Sequence, residues 1–445
     1  MNLISTIRVV QIRLNQAVDG VSLAVFRIGL GLVGALLIGR LWWNGWLSSL
    51  YAGPANHLRY PGLGWIPAVP DDAVFLVAAV ALGGAVLVVL GWHHRLGAAL
   101  FAGSFGWLET TEATTYLNHY WLLTYLFVLA AFLPLSAAFS LRARTHGGDL
   151  LVPLGSVWLL RGQIVLVYFF AGVAKLRGDW LLEAMPLRIW LPARADLAVV
   201  GGFLDDPATA VVLSWAGLIF DLSVGFALLH RRGRSLAFAA VVVFHLATWM
   251  LFPSIGIFPL AMIVVTLIFF DPDWPRRLWK SSLRLKNPSP RLVRPRGAGW
   301  GRGATALACL WLLVQLFLPL RHLLIPGDVA LTGVGYRFAW NVLAVEKAGS
   351  VSFRVTDVAA GTTWIDDASA LYSPTQIRVA ASEPDLIVQM AHAVAAAWQT
   401  SGQVIEVRAD AFVSINGRSE QRLLDPAVDL AALPVDAAVE MYVAG

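Results

Sequence analysis

The chain has 445 residues, of which 58% are hydrophobic and only 14% are charged, and its mean hydropathy is +0.68. This apolar excess is larger than a soluble core requires, so the composition excludes an ordinary soluble enzyme and indicates a membrane protein with several spans. The 19 tryptophans agree with this, because indole rings collect at the two membrane interfaces. The single cysteine, Cys309, excludes a disulfide within the chain, and the net charge of +5 is informative only through its distribution.

The apolar runs predict nine membrane spans, because a spanning helix needs about 20 mostly apolar residues. The third and the eighth are short, so the prediction allows a count of eight or seven. The predicted spans lie near residues 21–43, 73–92, 95–109, 119–140, 155–175, 208–229, 235–252, 254–270 and 304–321.

The basic residues between the spans predict the topology, because cytoplasmic loops are enriched in lysine and arginine. Arginines are concentrated in the turn 231–234 and in the loop 271–303, whereas the loop after the third span holds Glu109 and Glu112 without any basic residue. The charges therefore predict that the N-terminus is cytoplasmic and that the C-terminus is extracytoplasmic. This topology puts residue 175 at the extracytoplasmic end of its helix.

After Pro326 the apolar runs become short, which predicts a soluble domain. One stretch has helical spacing, and Asn416-Gly417 is typical of a tight turn. The helical stretch is 384–399, and alternation of apolar and polar residues predicts strands at 351–357, 404–415 and 439–443. The predicted division is a cytoplasmic segment (1–20), a helical transmembrane domain (21–325) and a β-rich soluble α/β domain (326–445) on the extracytoplasmic side.

The apolar run 160–180, LRGQIVLVYFFAGVAKLRGDW, carries a lysine near its end, Lys175. Burial in a low-dielectric environment disfavours the charged ammonium, so a lysine here can be a neutral amine and act as a base. In the alternative interpretation, Lys175 closes a membrane helix and extends its ammonium into the lipid headgroups. The run alone leaves both open.

Other polar residues fall at bilayer depth, where each is expensive to bury and is therefore a functional candidate. A structural alternative is that Arg27 or Arg161 pairs with Asp221 and holds helices together. Asn118 and His119, at the start of the fourth span, are placed either to hydrogen-bond a ligand headgroup or, for Asn118, to cap the helix. The intramembrane candidates are Arg27, Arg161, Gln163, Asp221 and His245.

The sequence contains no motif of metal-binding, serine-nucleophile or nucleotide-binding sites. The chain has no CxxC or HExxH spacing, no G-x-S-x-G elbow, and neither a P-loop nor a GxGxxG fingerprint. We therefore predict no metal site. The basic loop 271–303 lies beside membrane spans and is a topology signal, so we also predict no nucleic-acid partner.

Several motifs occur in one order along most of the chain, and together they resemble a known family. They include FRIGLGL at 26–32, LNH at 117–119, the 160–180 run, DLSVGF at 221–226, LFPSIGIF at 251–258, DPDWPR at 271–276, GYRFAWN at 335–341, YSPTQ at 372–376 and PDLIVQMAH at 384–392. In these motifs the chain resembles the vitamin K-dependent γ-glutamyl carboxylase family and its bacterial relatives, the horizontally transferred transmembrane domain proteins.

The resemblance implies a coupled reaction and a set of site residues. Reduced vitamin K, a lipid-soluble naphthohydroquinone, reacts with O2 to give its epoxide, and the strong base formed on the way lets CO2 add to a glutamyl residue of a peptide or protein. The lysine of the AGVxKL pattern, here Lys175, is implied as the base that deprotonates the quinol. Asn118 and His119 are implied at the naphthoquinone, His119 also as a catalytic residue, and Tyr168 is expected at the cofactor.

The chain also departs from the family pattern. Ala174 stands where a second lysine is frequent, and Arg188 is out of register with the family's arginine after the DW pair, so no glutamate-binding role is carried over to it. Two alternatives stay open: a quinol-epoxidising protein with a different acceptor or none, and a non-catalytic membrane partner or immunity protein. The compact loops favour a bacterial source, hence the cytoplasmic membrane with the site on its outer side.

Overall fold

The computed structural model describes residues 3–145, 151–283, 299–399 and 404–444. Its longer helices are α1 (Leu3–Leu14), α2 (Val21–Trp43), α3 (Val74–Leu90), α4 (His94–Thr111), α5 (Asn118–Phe132), α6 (Leu154–Val173), α7 (Pro207–Leu229), α8 (Arg234–Leu251), α9 (Phe258–Thr266), α10 (Trp274–Leu283), α11 (Arg302–Phe317), α12 (Pro374–Ala380) and α13 (Pro384–Trp398). Its strands are β1 (Ala17–Asp19), β2 (Leu151–Pro153), β3 (Lys347–Asp357), β4 (Thr362–Asp366), β5 (Ile405–Ile415) and β6 (Gln421–Arg422).

A helix lies at each of the predicted spans, and together these helices form a membrane helical domain. Six helical stretches of the described chain are long and apolar enough to cross a bilayer: 21–43, 71–90, 154–173, 207–229, 234–251 and 302–324. The other three predicted spans correspond to α4, α5 and α9. The count of nine and the N-inside, C-outside topology stay predictions.

The fourth span is shorter than predicted. The run 119–140 is apolar throughout, but α5 ends at Phe132 and Leu133 is extended, with ψ of 153°. Pro134 explains this end, because a proline disfavours helical geometry in the residue before it. At 15 residues, α5 reaches roughly 22 Å, which is less than the hydrocarbon core of about 30 Å.

The segments predicted to be cytoplasmic lie together at one end of the bundle. β1 pairs antiparallel with β2, and Asp19 accepts a hydrogen bond of 2.6 Å from Nε of Arg276. Asp271 lies within 3.1 Å of three basic side chains, those of Arg231, Arg234 and Arg277. Part of the predicted basic loop lies outside the described residues, namely Arg284, Lys286, Arg291, Arg294 and Arg296.

The C-terminal part forms a four-stranded antiparallel sheet in the order β4-β3-β5-β6. β3 and β5 pair over eleven residues, from Lys347 opposite Ile415 to Asp357 opposite Ile405. Burial alternates along β5, as a strand with one covered face requires. The covering residues come from α13, which buries Leu386, Ile387, Met390, Ala391 and Val394 in the same cluster.

Most of the predicted elements of this part are confirmed, and one is wrong. The turn after β5 has Asn416 and Gly417 at φ of 51° and 71°, as an Asn-Gly hairpin turn requires. The predicted strand at 439–443 is instead a 3-10 turn over Val439–Met441, followed by a single bridge between Val443 and Leu424. β6 pairs with β5 over only two residues, so no long neighbouring strand is available to extend a ladder there.

Hydrophobic packing crosses the predicted domain boundary at 325/326. The cluster that contains the sheet also contains residues that precede α3 or lie around the start of α5, namely Leu58, Tyr60, Ala113 and Trp121. The soluble part is therefore seated on the loops at this end of the helical domain rather than tethered beside them. This seating positions the segment that follows α11 directly over the end of α6.

Candidate functional site

Lys175 lies just beyond the last turn of α6 and is only 4% exposed. Its Nζ donates hydrogen bonds to the carbonyl oxygens of Ala171, at 3.1 Å, and Val342, at 3.0 Å. The same Nζ lies 2.9 Å from Oδ2 of Asp221. The interpretation in which Lys175 reaches for the headgroups is therefore wrong, because its amine is held among protein oxygens.

Close packing of α6 against α7 brings Asp221 to Lys175. A Cβ atom on Gly172 would lie 2.7 Å from Cδ2 of Leu222, and one on Gly225 would lie 3.2 Å from Cα of Val165. Glycine at both positions lets the two backbones approach, as small residues do between membrane helices. The structural alternative in which Asp221 pairs with Arg27 or Arg161 is wrong, since its partner is the lysine.

A cavity of about 130 Å³ lies beside this ion pair. The lining is mostly apolar and includes Phe244, Leu251, Phe252, Phe258 and Met262. Its titratable lining residues among those described are Tyr168, Lys175, Asp221 and His245, all four of which the sequence had singled out.

A second polar pair lies on the cavity wall. The hydroxyl of Tyr168, on α6, is 2.9 Å from Nε2 of His245, on α8. Both side chains are almost completely buried, at 2% and 1% exposure. The cavity therefore has two polar positions in an apolar surrounding, one at Lys175 and one at this pair.

Trp180 forms part of the wall beside the lysine, a role that the sequence did not reveal. Nζ of Lys175 lies 5.2 Å from the centre of its indole ring, a cation–π distance. Ser214 of α7 holds Trp180 through two hydrogen bonds. The Trp180 indole donates to the carbonyl of Ser214 at 2.8 Å, and the Ser214 hydroxyl donates to the main-chain carbonyl of Trp180 at 2.5 Å. The Asp-Trp pair that ends the 160–180 run was the sequence signal that could have identified Trp180.

Residues 338–343, which we call the strap, cross over the end of α6. The carbonyls of two neighbouring strap residues accept from Lys175 and from Asn118, the latter bond being 3.0 Å to Asn341. The hydroxyl of Tyr116 accepts from the backbone of Phe338 and donates to Oδ1 of Asn118 at 2.8 Å. Three strap residues have positive φ: Phe338 (64°), Trp340 (59°) and Leu343 (50°).

Asn118 and His119 do not line the cavity at Lys175. α5 begins at Asn118 and Leu117 is its N-cap, so the capping interpretation of Asn118 is wrong, and its amide binds the strap instead. His119 lies behind the cavity wall, with its ring centre 5.6 Å from that of Phe258. Their contact with the quinone stays a prediction.

Asn118 lines a second cavity, of about 260 Å³, on the other side of the strap. Leu343 lines both cavities and separates them. The lining is more polar here and includes Tyr336, Arg337, Asn341, Lys347 and Glu383. Arg337 pairs with Glu383 at 3.3 Å and also with Asp385. Burial raises the pKa of Glu383, although the charges of Arg337 and Lys347 oppose this shift.

Three of the intramembrane candidates lie away from the cavity and bind other parts of the bundle. Arg27 donates to the carbonyls of Val88, Val89, Leu135 and Phe139, which lie near helix ends. Arg161 does the same for Ile268, Phe269 and Phe270. Gln163 joins α6 to α11 through Gln315, at 3.1 Å, and Trp311, at 2.7 Å. All three satisfy polar groups that lipid would leave unpaired.

The fold and the site define an integral membrane protein in which helices enclose a buried lysine–aspartate pair and an apolar cavity, with a soluble domain at the C-terminal end. Two family models match this chain: the HTTM domain over residues 15–274, and the vitamin K-dependent gamma-carboxylase lumenal domain over residues 302–440. The chain belongs to the HTTM domain family, and the second match makes it a vitamin K-dependent carboxylase-like membrane protein. No solved structure matches the chain.

Proposed function

We propose that this protein is a vitamin K-dependent γ-carboxylase, which oxygenates reduced vitamin K to the epoxide and carboxylates glutamyl residues with CO2. The observation that carries the proposal is the buried amine of Lys175, paired with Asp221 on the wall of an apolar cavity. The two family matches support it, because one covers the helices that build the cavity and the other covers the domain above it.

In this proposal Lys175 is the base that takes a proton from a quinol hydroxyl. The three N–H bonds of its ammonium point at oxygens of Ala171, Val342 and Asp221. The ammonium must therefore give up a proton before it has a free electron pair. The carboxylate of Asp221, at 2.9 Å, is the nearest acceptor for that proton. Asp221 therefore positions Lys175 and accepts its proton.

The lining of the cavity fits reduced vitamin K in its chemistry. Its apolar and aromatic lining suits a naphthoquinol, and Lys175 lies where a ring hydroxyl would be deprotonated. Bound there, the vitamin supplies with O2 the strong base that abstracts the γ-proton of glutamate. The enclosing apolar wall, to which Trp180 and Phe258 contribute, keeps water from quenching that base.

The polar cavity beyond Leu343 is the proposed approach for the acceptor peptide. A glutamyl side chain that enters from the soluble domain meets Asn341 and Lys347, which are suited to bind a carboxylate. The strap, at Leu343, then separates it from the quinol cavity. By the family resemblance, Asn118, His119 and Tyr168 are assigned to the cofactor. The compact loops of the sequence favour a bacterial source and hence the cytoplasmic membrane.

The test is to supply purified protein with reduced vitamin K, O2, labelled CO2 and a short glutamate-containing peptide. Epoxide and fixed label are measured for the wild type, for Lys175→Ala and for Lys280→Ala, a matched loss of a lysine in α10 at the opposite end of the bundle. We expect both products from the wild type and from Lys280→Ala. Neither should form with Lys175→Ala in protein whose unfolding transition shows that it is folded.

The other possible outcomes of this experiment would each favour one of the alternatives. Epoxide without fixed label would replace the proposal with a quinol-epoxidising protein that has another acceptor or none. Neither product from folded wild type would leave a non-catalytic membrane partner of the same fold. Products that persist in Lys175→Ala would remove Lys175 as the base.

A further inference from the structure

The histidine on the cavity wall has one ring nitrogen without a partner. Nε2 of His245 is hydrogen-bonded to Tyr168, whereas Nδ1 is buried and has no hydrogen-bond partner among the described residues. A buried polar atom left unpaired costs about 1 to 3 kcal/mol, so such atoms are rare and call for an explanation. The proposed function gives this nitrogen no role.

Apolar rings pack against His245. Phe244 lies 5.3 Å and Phe258 lies 5.7 Å from it, centre to centre, both with their planes nearly perpendicular to the imidazole. Both phenylalanines line the same cavity. His245 also lines this cavity, so a molecule bound there is the candidate partner for Nδ1.

The two polar positions of the cavity are two helical turns apart. Tyr168 and Lys175 are seven residues apart on or just beyond α6, so they lie on one face of it with an axial separation of roughly 10 Å. A ring with an oxygen at each of two para positions spans such a gap when each oxygen makes one hydrogen bond. A ring with a single oxygen cannot reach both positions.

We propose that the Tyr168–His245 pair is a second oxygen subsite, which binds the ring oxygen para to the one held at Lys175. The ligand class selected is then the 1,4-dioxygenated aromatic ring rather than the monohydroxylated one. This inference rests on the proposed function and adds to it the position and the chemistry that select the substrate.

The pair also suits both redox states of such a ring. When the Tyr168 hydroxyl donates to Nε2, the Nδ1 atom carries the proton and donates to a quinone carbonyl. When Nε2 carries the proton and donates to the tyrosine oxygen, Nδ1 accepts from a quinol hydroxyl. The tautomer of His245 thus follows the ligand, and no net charge enters the apolar wall.

The test compares anaerobic binding of two probes that differ by one oxygen, 2-methyl-1,4-naphthohydroquinone and 2-methyl-1-naphthol. Binding to the purified full-length protein is followed by quenching of tryptophan fluorescence, because Trp180 lines the cavity. We expect the wild type to bind the dihydroxy probe about tenfold more tightly, as one hydrogen bond to an otherwise unpaired group predicts. His245→Phe should reduce this ratio to about one.

Two further variants keep the test decisive. Thr248→Val removes a hydroxyl from the same wall, one turn along α8, but that hydroxyl is bonded within the helix to Phe244, so the probe ratio should stay at the wild-type value. Tyr168→Phe removes only the hydroxyl that holds His245 and should lower the ratio. It answers the question even if His245→Phe does not fold.

Equal affinity of the wild type for both probes would overturn the inference, as would an unchanged ratio in folded His245→Phe or Tyr168→Phe. In each of these cases the proposed function stands if epoxide still forms. A wild type that binds neither probe would instead remove the quinol site, and with it both proposals.

Discussion

The charge pair of Lys175 and Asp221 can be dissected with three variants. Lys175→Met removes the amine and leaves a buried carboxylate, and Asp221→Asn removes the carboxylate and leaves a buried amine. The double variant removes both charges while it keeps the shapes of the two side chains. The three together separate the energetic cost of a lone charge from the contribution of the pair.

The structure sets the expected magnitude. The two side chains are 5% and 6% exposed, and their charged atoms are 2.9 Å apart. At an effective dielectric constant of about 20, charges at this distance attract by roughly 6 kcal/mol. Desolvation of both groups offsets most of this, whereas loss of one partner leaves a buried charge and costs about 3 to 5 kcal/mol. We therefore expect each single variant to be destabilised by that amount and the double variant to recover most of it.

The assay is unfolding of the purified protein in detergent, followed by tryptophan fluorescence, with epoxide formation measured in parallel. The double variant should be folded and inactive, which separates loss of the base from loss of the fold. A double variant no more stable than the weaker single one would refute the argument, because the two side chains would then not be coupled as charges. Single variants with wild-type stability would refute it as well.

Two further predictions concern contacts outside the cavity. Gly417→Ala should cost about 1 kcal/mol more than Gly361→Ala, because overpacking adds to the backbone strain at only one of the two sites. Both glycines have positive φ (71° and 65°), but only at 417 would a Cβ meet a neighbour, Cδ1 of Ile189 at 3.1 Å. Equal losses in unfolding free energy would argue against docking of this turn on Ile189. Burial alone would raise the pKa of Asp271, but hydrogen bonds from Arg277, Arg234 and Arg231 outweigh it and hold the value at about 2. The unfolded pKa is about 3.9, so this carboxylate stabilises the fold above pH 4, by about 1 kcal/mol after screening by water, and the contribution is lost as the pH falls to about 2. Unfolding measured from pH 5 to pH 2 should show this loss in the wild type and not in Asp271→Asn; a matching loss in the variant would assign it to another group.

The positions of the polar residues in the membrane domain could be predicted from the sequence. Lys175, Asp221 and His245 stand out because a polar side chain is expensive at bilayer depth and therefore conspicuous in an apolar run. The main strands and the long helix of the soluble domain were equally visible, since their apolar residues recur with a period of two or of about 3.6. The prediction of a strand at 439–443 was wrong because periodicity cannot show whether a neighbouring strand is present.

Which polar residue meets which was decided only by the tertiary structure. Arg27 and Arg161 bind main-chain carbonyls at helix ends, and every residue has a carbonyl, so no side-chain pattern predicts those partners. Lys175 meets Asp221 because Gly172 and Gly225 let α6 and α7 approach, and it meets Val342 because the soluble domain lays the strap over the end of α6. The sequence alone determined that an amine would lie near the end of an apolar membrane helix. The packing of two helices and one strap, at ångström distances that composition and periodicity do not encode, determined that this amine faces a carboxylate and an apolar cavity.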